Sequence, residues 1–250
     1  MFPGARSVRG VEPAPVTHWH DYFDRLTGDR PLFFAEAVDF VSRLLAALPV
    51  HGHMRVLDFG CGFGLVADQL APRVGELHLW DVARQMRNHA RSNVARHPNA
   101  HVWDFMPHAQ AVPGPFDLII VNSVIQYVRS EELASWLRQW RDMLGHAGQI
   151  VISDVIPENY KDWLDILAWL AFSWKQGFLV RSLGRGFREF AGYATATRRA
   201  PLTRYSPDRL AELASAAGLA ARFLPHNLTY RRDRFTAVLS HAVNGTQPPA

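Results

Sequence analysis

The chain has 250 residues, of which 48% are hydrophobic and 20% charged, and its formal net charge is +4. This length suits one large domain, or one domain with an insertion, and the longest apolar stretch is too short to span a bilayer. Because acids and bases are interspersed, the charge gives no support for a nucleic-acid partner. Cys61 is the single cysteine, which excludes an intrachain disulfide and favours the reducing cytoplasm.

The amino-terminal residues divide into two segments. Residues 1–16 are rich in proline and glycine and lack the apolar core of a signal peptide, so we expect a flexible arm. Residues 17–50 carry apolar side chains at helical spacing and predict two helices with a break near 28–31.

Residues 51–156 alternate short apolar runs with helical patterns. Strands are predicted at 55–59, 76–80, 101–103, 116–121 and 149–153, a polar helix at 82–95, and an amphipathic helix at 131–144 that Gly145 ends. The run Phe116–Val121 is apolar throughout, as expected of a parallel strand buried on both faces. The alternation predicts parallel βαβ units.

The alternation stops after residue 156. Residues 157–204 are aromatic, basic and helical in pattern. In the last segment, 205–243, Ser206 as N-cap and Pro207 at the first helical position predict a helix, followed by strands at 219–225 and 234–241 joined by a hairpin. The predicted fold is therefore α/β: a doubly wound, mostly parallel seven-stranded sheet with a helical insertion after the fifth strand.

A glycine cluster, Gly60-x-Gly62-x-Gly64, follows the first strand, and Asp58 precedes it by two residues. Glycines let a backbone bend sharply and approach a ligand with no Cβ in the way. In open α/β sheets, ligands bind at the carboxyl ends of the strands where the strand order reverses. The spacing differs from the G-x-G-x-x-G pattern of dinucleotide sites, although another nucleotide remains an alternative.

The D-x-G-x-G-x-G pattern, with Asp81 at the end of the second strand, resembles the class I S-adenosylmethionine-dependent methyltransferases over residues 55–153. The resemblance implies S-adenosylmethionine as cofactor and S-adenosylhomocysteine as product. It also implies that residues 17–50 cover the cofactor, that Leu144–Gly148 form a turn, and that Asp81 accepts hydrogen bonds from the ribose. The implied cofactor-binding residues are Asp58, Gly60, Cys61, Gly62, Gly64, Asp81, Val82, Met86, Asp104, Phe105, Asn122, Ser123 and Tyr22.

Several of these residues have a simpler structural interpretation. Asp81 and Asp104 would serve equally as a helix cap and a turn residue, and Asp58 as a support for its own loop. Cys61 lacks a basic partner and is predicted to be a small packing residue. His18, His20 and Tyr22 either contact the cofactor or shield the sheet edge. The histidines form no metal-binding pattern, so we predict no metal.

The helical insertion contains an apolar stripe, Trp163, Ile166, Leu167, Leu170 and Trp174, followed by several arginines. A helix with so much apolar surface must be buried, contact a partner or touch lipid. By the resemblance, residues 157–204 form a lid over a bulky, largely apolar acceptor. A homodimer interface and peripheral membrane contact through 163–180 are the alternatives.

The sequence thus predicts a methyltransferase for a small-molecule acceptor, with O-methylation slightly favoured over N- or C-methylation. The alternatives are a non-catalytic cofactor-binding protein and a methyltransferase for a lipid or a macromolecule. The candidates for a general base are Asp154, Tyr127 and His226. For His226, an ordinary turn residue is the simpler interpretation.

Overall fold

A computed structural model of the chain describes Phe23 and residues 30–112, 114–177 and 201–242. The helices are α1 (Arg30–Ala47), α2 (Ala67–Leu70), α3 (Arg84–Val94), α4 (Ser130–Met143), α5 (Trp163–Lys175) and α6 (Pro207–Ala216). The strands are β1 (Arg55–Phe59), β2 (Glu76–Trp80), β3 (Ala100–Val102), β4 (Phe116–Asn122), β5 (Leu144–Val155), β6 (Leu219–Phe223) and β7 (Phe235–His241). Single 3-10 turns lie at Ala71–Arg73 and Ile125–Tyr127.

The strands form one seven-stranded sheet in the order β3-β2-β1-β4-β5-β7-β6. β1 to β5 are parallel, and β7 is antiparallel to both β5 and β6. The chain moves from β1 outward to β3 and then returns to β4 on the other side of β1. The strand order therefore reverses between β1 and β4, which is where such sheets bind ligands. The predicted fold class is confirmed.

Helices cover both faces of the sheet because each presents an apolar stripe to it. On one face, Leu137 and Trp140 of α4 and Leu210 of α6 are fully buried in one cluster with Phe59 and Ile119 of the sheet. On the other face, α1 and α2 form a second cluster with the alternate side chains of the same strands. The central strands β1, β4 and β5 are thus packed on both faces, and their carboxyl ends are held in place.

The prediction of the α6 start is confirmed. The Ser206 side chain accepts a hydrogen bond from the Arg209 backbone N–H at 3.2 Å, and Pro207 follows at the first helical position. Gly218, with φ of +78°, comes two residues after the last helical residue. The helix therefore begins and ends as its capping residues predict.

The predicted turn at 144–148 is wrong. Leu144–Gly148 form the first part of β5, where Leu144 pairs with Phe116 of β4. A Cβ at Gly148 would lie 2.7 Å from the Phe116 carbonyl oxygen, so glycine allows the two backbones to approach. α4 ends at Met143, and Leu144 is already extended at φ −83° and ψ 135°, so Gly145 does not end the helix.

The insertion is described only in part. α5 confirms a helix over the apolar stripe, whereas residues 178–200 lie outside the described part of the chain. No helix within the described ranges is both long and apolar enough to cross a membrane.

Candidate active site

The glycine turn after β1 adopts a backbone that only glycine tolerates well. The φ angles of Gly60, Gly62 and Gly64 are +82°, +52° and +68°. A Cβ at Gly60 would overlap Val124 Cγ2, and one at Gly64 would lie 2.9 Å from Ala90 Cβ. A Cβ at Gly62 would meet no atom of the described structure within 4 Å. Two glycines therefore permit close packing, while Gly62 faces open space that a ligand can enter.

Backbone hydrogen bonds hold this turn against the end of β2. The N–H groups of Gly60 and Cys61 donate to the Trp80 carbonyl oxygen at 2.7 and 3.0 Å. The Asp81 carboxylate accepts from Gly62 N–H at 2.9 Å and from Ala83 N–H at 2.8 Å. Asp81 is therefore at the glycine turn as predicted, and it also ties that turn to the start of α3.

Asp58, at the end of β1, is a buried carboxylate with an unsatisfied oxygen. Its side chain is 4% exposed, and its Oδ2 has no hydrogen-bond partner. Burial, together with the nearby Asp81 charge, raises the pKa of the Asp58 carboxyl to about 7. An unpaired acceptor beneath an open glycine turn fits a cationic group of a ligand, such as the ammonium group of S-adenosylmethionine.

Cys61 and Met86 support the turn from within the protein. Burial and the nearby Asp58 and Asp81 carboxylates raise the pKa of the Cys61 thiol well above its ordinary value, which disfavours the reactive thiolate and fits a packing role. Met86 is 2% exposed and packs with Phe63 and Ala83. Val82, by contrast, is half exposed immediately after Asp81.

Asp104 and Phe105 lie on the exposed loop after β3. Asp104 forms an ion pair with Arg91 of α3, and the Phe105 ring packs edge-on against Trp103 with the centroids 5.1 Å apart. The structure thus places both residues at the third strand end, but on the surface. Their contact with adenine remains a prediction.

The end of β4 carries polar residues, as predicted. Asn122 accepts a hydrogen bond from Ser153 Oγ at 2.7 Å. Ser123, at φ +57°, donates from its Oγ to Asp154 Oδ2 at 2.7 Å. The next residue is Val124, whose side chain fills the space above Gly60. The β4 end therefore packs directly on the glycine turn.

Tyr127 and His226 have different surroundings. Tyr127 is partly buried in the turn after β4, and its ring packs edge-on against Phe23 with the centroids 5.2 Å apart. Segment 17–50 therefore reaches the β4 end. Tyr22, His18 and His20 lie outside the described residues. His226 is exposed on the loop between β6 and β7, as a turn residue would be.

Asp154 is not placed to act as a general base, which corrects one of the candidates. It is 1% exposed and accepts hydrogen bonds from Ser123, Thr229 Oγ1 at 2.7 Å, Arg234 Nη1 at 2.8 Å and Asn227 Nδ2 at 3.3 Å. Although burial opposes ionisation, the two nearby arginines hold the pKa of Asp154 below its ordinary value. A carboxylate so fully occupied supports the site instead of exchanging protons with an acceptor.

The partners of Asp154 were missed by sequence reasoning. Arg234, 3% exposed in its side chain, joins Asp154 to Asp165 of α5 with distances of 2.8 and 2.6 Å. The Arg231 guanidinium lies 3.7 Å from Asp154 and 3.4 Å from Asp165. The sequence did contain one signal for these partners, which is Asp165. It is the single acid within the apolar stretch 163–174, and a carboxylate in such surroundings needs a cation beside it.

Comparison with known proteins agrees with this geometry. Residues 57–150 match the family model described as a methyltransferase domain. The chain is 29% identical over 129 residues to the biotin biosynthesis bifunctional protein BioCD of Bordetella avium (strain 197N), covering 51% of this chain and 27% of that protein. It is 23% identical over 191 residues to the ubiquinone biosynthesis O-methyltransferase of Azoarcus sp. (strain BH72), covering 75% of this chain and 77% of that protein. The chain thus spans about a quarter of the first relative's length.

A solved structure shows the same fold. Magnesium protoporphyrin IX methyltransferase (ChlM) from Synechocystis PCC 6803, with S-adenosylmethionine bound, superimposes with a TM-score of 0.56 at 13% identity. The match covers 93% of this chain and 100% of that one. The family match, the reversal of strand order and the glycine turn define the class. Residues 57–150 are therefore a methyltransferase domain, and the α/β core that contains them has the fold of the class I S-adenosylmethionine-dependent methyltransferases.

Proposed function

We propose that the protein transfers the methyl group of S-adenosylmethionine to a small, bulky and largely apolar acceptor, and that the accepting atom is oxygen. The observation that carries the cofactor half of this proposal is the joint position of Asp58, Asp81 and the open face of Gly62. The name of the ubiquinone biosynthesis relative, an O-methyltransferase, supports oxygen as the accepting atom. We place the reaction in the cytoplasm.

The cofactor supplies a methyl group on a positively charged sulfur, already activated for transfer. The work of the chain is therefore alignment, since holding two reactants in line supplies much of the acceleration. Asp81 is fixed by two backbone N–H groups and orients the ribose. Asp58 compensates a positive charge beneath the turn.

The acceptor side is formed by the β4 end and the insertion. Ser123 is held by Asp154, and α5 is joined to the same carboxylate through Arg234. We propose that residues 157–204 close over the acceptor and that residues 17–50 cover the cofactor. Of the three candidate bases, Asp154 is locked in a buried ion pair and His226 lies on an exposed loop, and Tyr127 lies in the turn after β4, so we propose Tyr127 as the base. A phenolic acceptor has a pKa of about 10, so it stays protonated at neutral pH and would transfer its proton to such a base as the methyl group arrives.

Calorimetric titration with S-adenosylmethionine and S-adenosylhomocysteine tests the cofactor half. Asp81→Ala removes a charged acceptor from the turn and should weaken binding by about ten- to a hundredfold, equivalent to roughly 1.5–3 kcal/mol. Asp142→Ala is the matched control, because Asp142 is an exposed carboxylate of α4 that pairs with Arg141 and lies outside the proposed site. If the folded wild-type protein bound neither compound, the proposal would be wrong.

A methyl-transfer screen tests the acceptor half. The panel should contain phenols, amines and carbon acids of similar size, together with a lipid-linked and a protein acceptor. Turnover of a phenol above the others supports the proposal. Cofactor binding without turnover of any acceptor would favour a non-catalytic role, and turnover of the protein alone would favour a macromolecular one.

A further inference from the structure

Helix α5 has an inner side that is fixed to the protein by both polar and aromatic contacts. Asp165 accepts hydrogen bonds from Arg234 Nη2 and from the Tyr160 hydroxyl, each at 2.6 Å. One turn from the helix end, the Phe172 ring stacks on Tyr230 with the centroids 4.5 Å apart. The orientation of the helix is thus determined, and so is the side that it presents outward.

The outer side of α5 is a large apolar surface. Trp163, Leu167 and Trp174 are 54%, 52% and 75% exposed, and Ile166 is 40% exposed. Positions 163, 167 and 174 share one side of a helix because they follow each other at four and seven residues. A tryptophan therefore stands near each end of one apolar side, with leucine and isoleucine between them. Exposed apolar side chains collected in this way mark an interaction surface.

The charges around this surface are positive. Lys161 and Lys175 flank the helix, and its acids are already paired: Asp162 with Arg204 at 2.7 Å and Asp165 with Arg234. Apart from Arg204, the next stretch of sequence, residues 176–203, contains five arginines and one acid. Those arginines are Arg181, Arg185, Arg188, Arg198 and Arg199.

We propose that this outer side of α5 binds the surface of an anionic lipid bilayer. Tryptophan favours the boundary between hydrocarbon and headgroups, where its ring is buried and its N–H stays wet. Lysine and arginine beside an apolar helix side add attraction to anionic headgroups. The helix lies in the interface and does not cross the membrane, since its 13 residues are too few to span it.

A second copy of the chain fits this surface less well. A two-fold interface brings the same patch of both copies together, so that residue i of one copy contacts residue j of the other and j contacts i. Lys161 and Lys175 flank the patch at its two ends, so each would lie near a lysine of the other copy, and like charges repel. An anionic surface removes that repulsion, which is why we assign the bilayer.

Sedimentation with vesicles tests the assignment without any methyl acceptor. The whole protein is mixed with vesicles of phosphatidylglycerol and phosphatidylcholine, and separately with vesicles of phosphatidylcholine alone. We expect binding to the anionic vesicles, at least tenfold weaker binding to the neutral ones, and loss of binding at high salt. The double variant Leu167→Ser, Trp174→Ser should bind the anionic vesicles at least tenfold more weakly.

Phe223→Ser is the matched control, because Phe223 is an exposed aromatic residue on β6, 38% exposed and outside α5. It should bind as the wild type does, and circular dichroism should show all variants folded. Equal binding by the double variant would overturn the proposal, as would absence of vesicle binding by the wild type. So would a dimer that the double variant abolishes while vesicles stay unbound. Because cofactor affinity is measured separately, this result does not depend on the proposed function.

Discussion

The two halves of the proposed site, one for the cofactor and one for the acceptor, are built in different ways. At the ends of β1 and β2, the cofactor half is made of backbone: three glycines at positive φ and N–H groups bonded to Trp80 and Asp81. At the ends of β4 and β5, the acceptor half is made of side chains, centred on the buried Asp154 and its arginines. The backbone geometry of such a turn can be predicted from the positions of glycines in the sequence, whereas no comparable sequence pattern predicts a buried ion network.

The two halves should respond differently to substitution. A change in the ion network leaves charges buried and unpaired, so it should act mainly on the free energy of unfolding. A change in the glycine turn alters the surface that meets the ligand, so it should act strongly on affinity as well. The following variants separate these effects, in order of decreasing size.

Arg234→Met should have the largest effect on stability. It removes the cation between Asp154 and Asp165 while keeping much of the side-chain volume, and Arg234 is 3% exposed in its side chain. Breaking such a buried pair should lower the free energy of unfolding by about 3–5 kcal/mol. Urea denaturation measures the change. Arg204→Met, at the exposed pair with Asp162, is the control and should cost less than about 1 kcal/mol.

Gly60→Ala should have the second-largest effect on stability. The added Cβ meets Val124 and the backbone must keep φ near +82°, so overpacking and strain should together cost roughly 2–4 kcal/mol of stability. Gly62→Ala carries strain but meets no described atom, so it should cost only about 1–2 kcal/mol. Thermal unfolding compares the two. Equal losses of stability in the two variants would show that Val124 moves aside and that the β4 end is not tightly packed against the turn.

The order of the strands was predictable, because β1 and β2 are short apolar runs that end at a glycine and an acid, and β4 is an apolar run that ends at Asn122 and Ser123. The position of Asp81 beside the glycine turn was predictable for the same reason, since the glycine spacing and Asp81 are local signals. The start of β5 was not, since Leu144–Gly148 has the composition of a turn and is extended only through pairing with β4.

The pairing of side chains in the acceptor half could not be predicted from the sequence. Asp154 meets Asn227, Thr229 and Arg234 across 73 to 80 residues of chain. No spacing rule relates residues that far apart, so its position just after an apolar run made Asp154 look available for catalysis. Burial and ion pairing, which only the structure shows, give it a supporting role.

Cofactor affinity should depend on pH through Asp58. Its pKa is about 7 in the folded protein, against an ordinary value of 3.8, so the empty site carries a proton below pH 7. A cation bound nearby favours the ionised carboxylate, so binding releases that proton and affinity rises with pH. We expect the dissociation constant to increase by up to about tenfold for each pH unit below 7, or about 1.4 kcal/mol.

Calorimetry of S-adenosylhomocysteine binding at several pH values measures this dependence. Repeating the titration in buffers of different ionisation enthalpy gives the number of protons that binding releases. Asp58→Asn supplies the control, because an amide cannot ionise and the slope below pH 7 should disappear. A slope that persists in this variant would assign the proton to another group.

Asp104→Ala should have the smallest effect. The Asp104 side chain is 80% exposed and paired with Arg91, so its loss should change the free energy of unfolding by less than about 0.5 kcal/mol. An adenine contact at such an exposed position competes with water and with Arg91, so cofactor affinity should fall by less than about fivefold. Arg91→Ala would release the carboxylate and should leave affinity unchanged or raise it. A loss of cofactor affinity as large as that of Asp81→Ala would instead mean that cofactor binding moves Asp104 away from Arg91 and into the site. The end of β3 would then belong to the cofactor half as much as the end of β2 does.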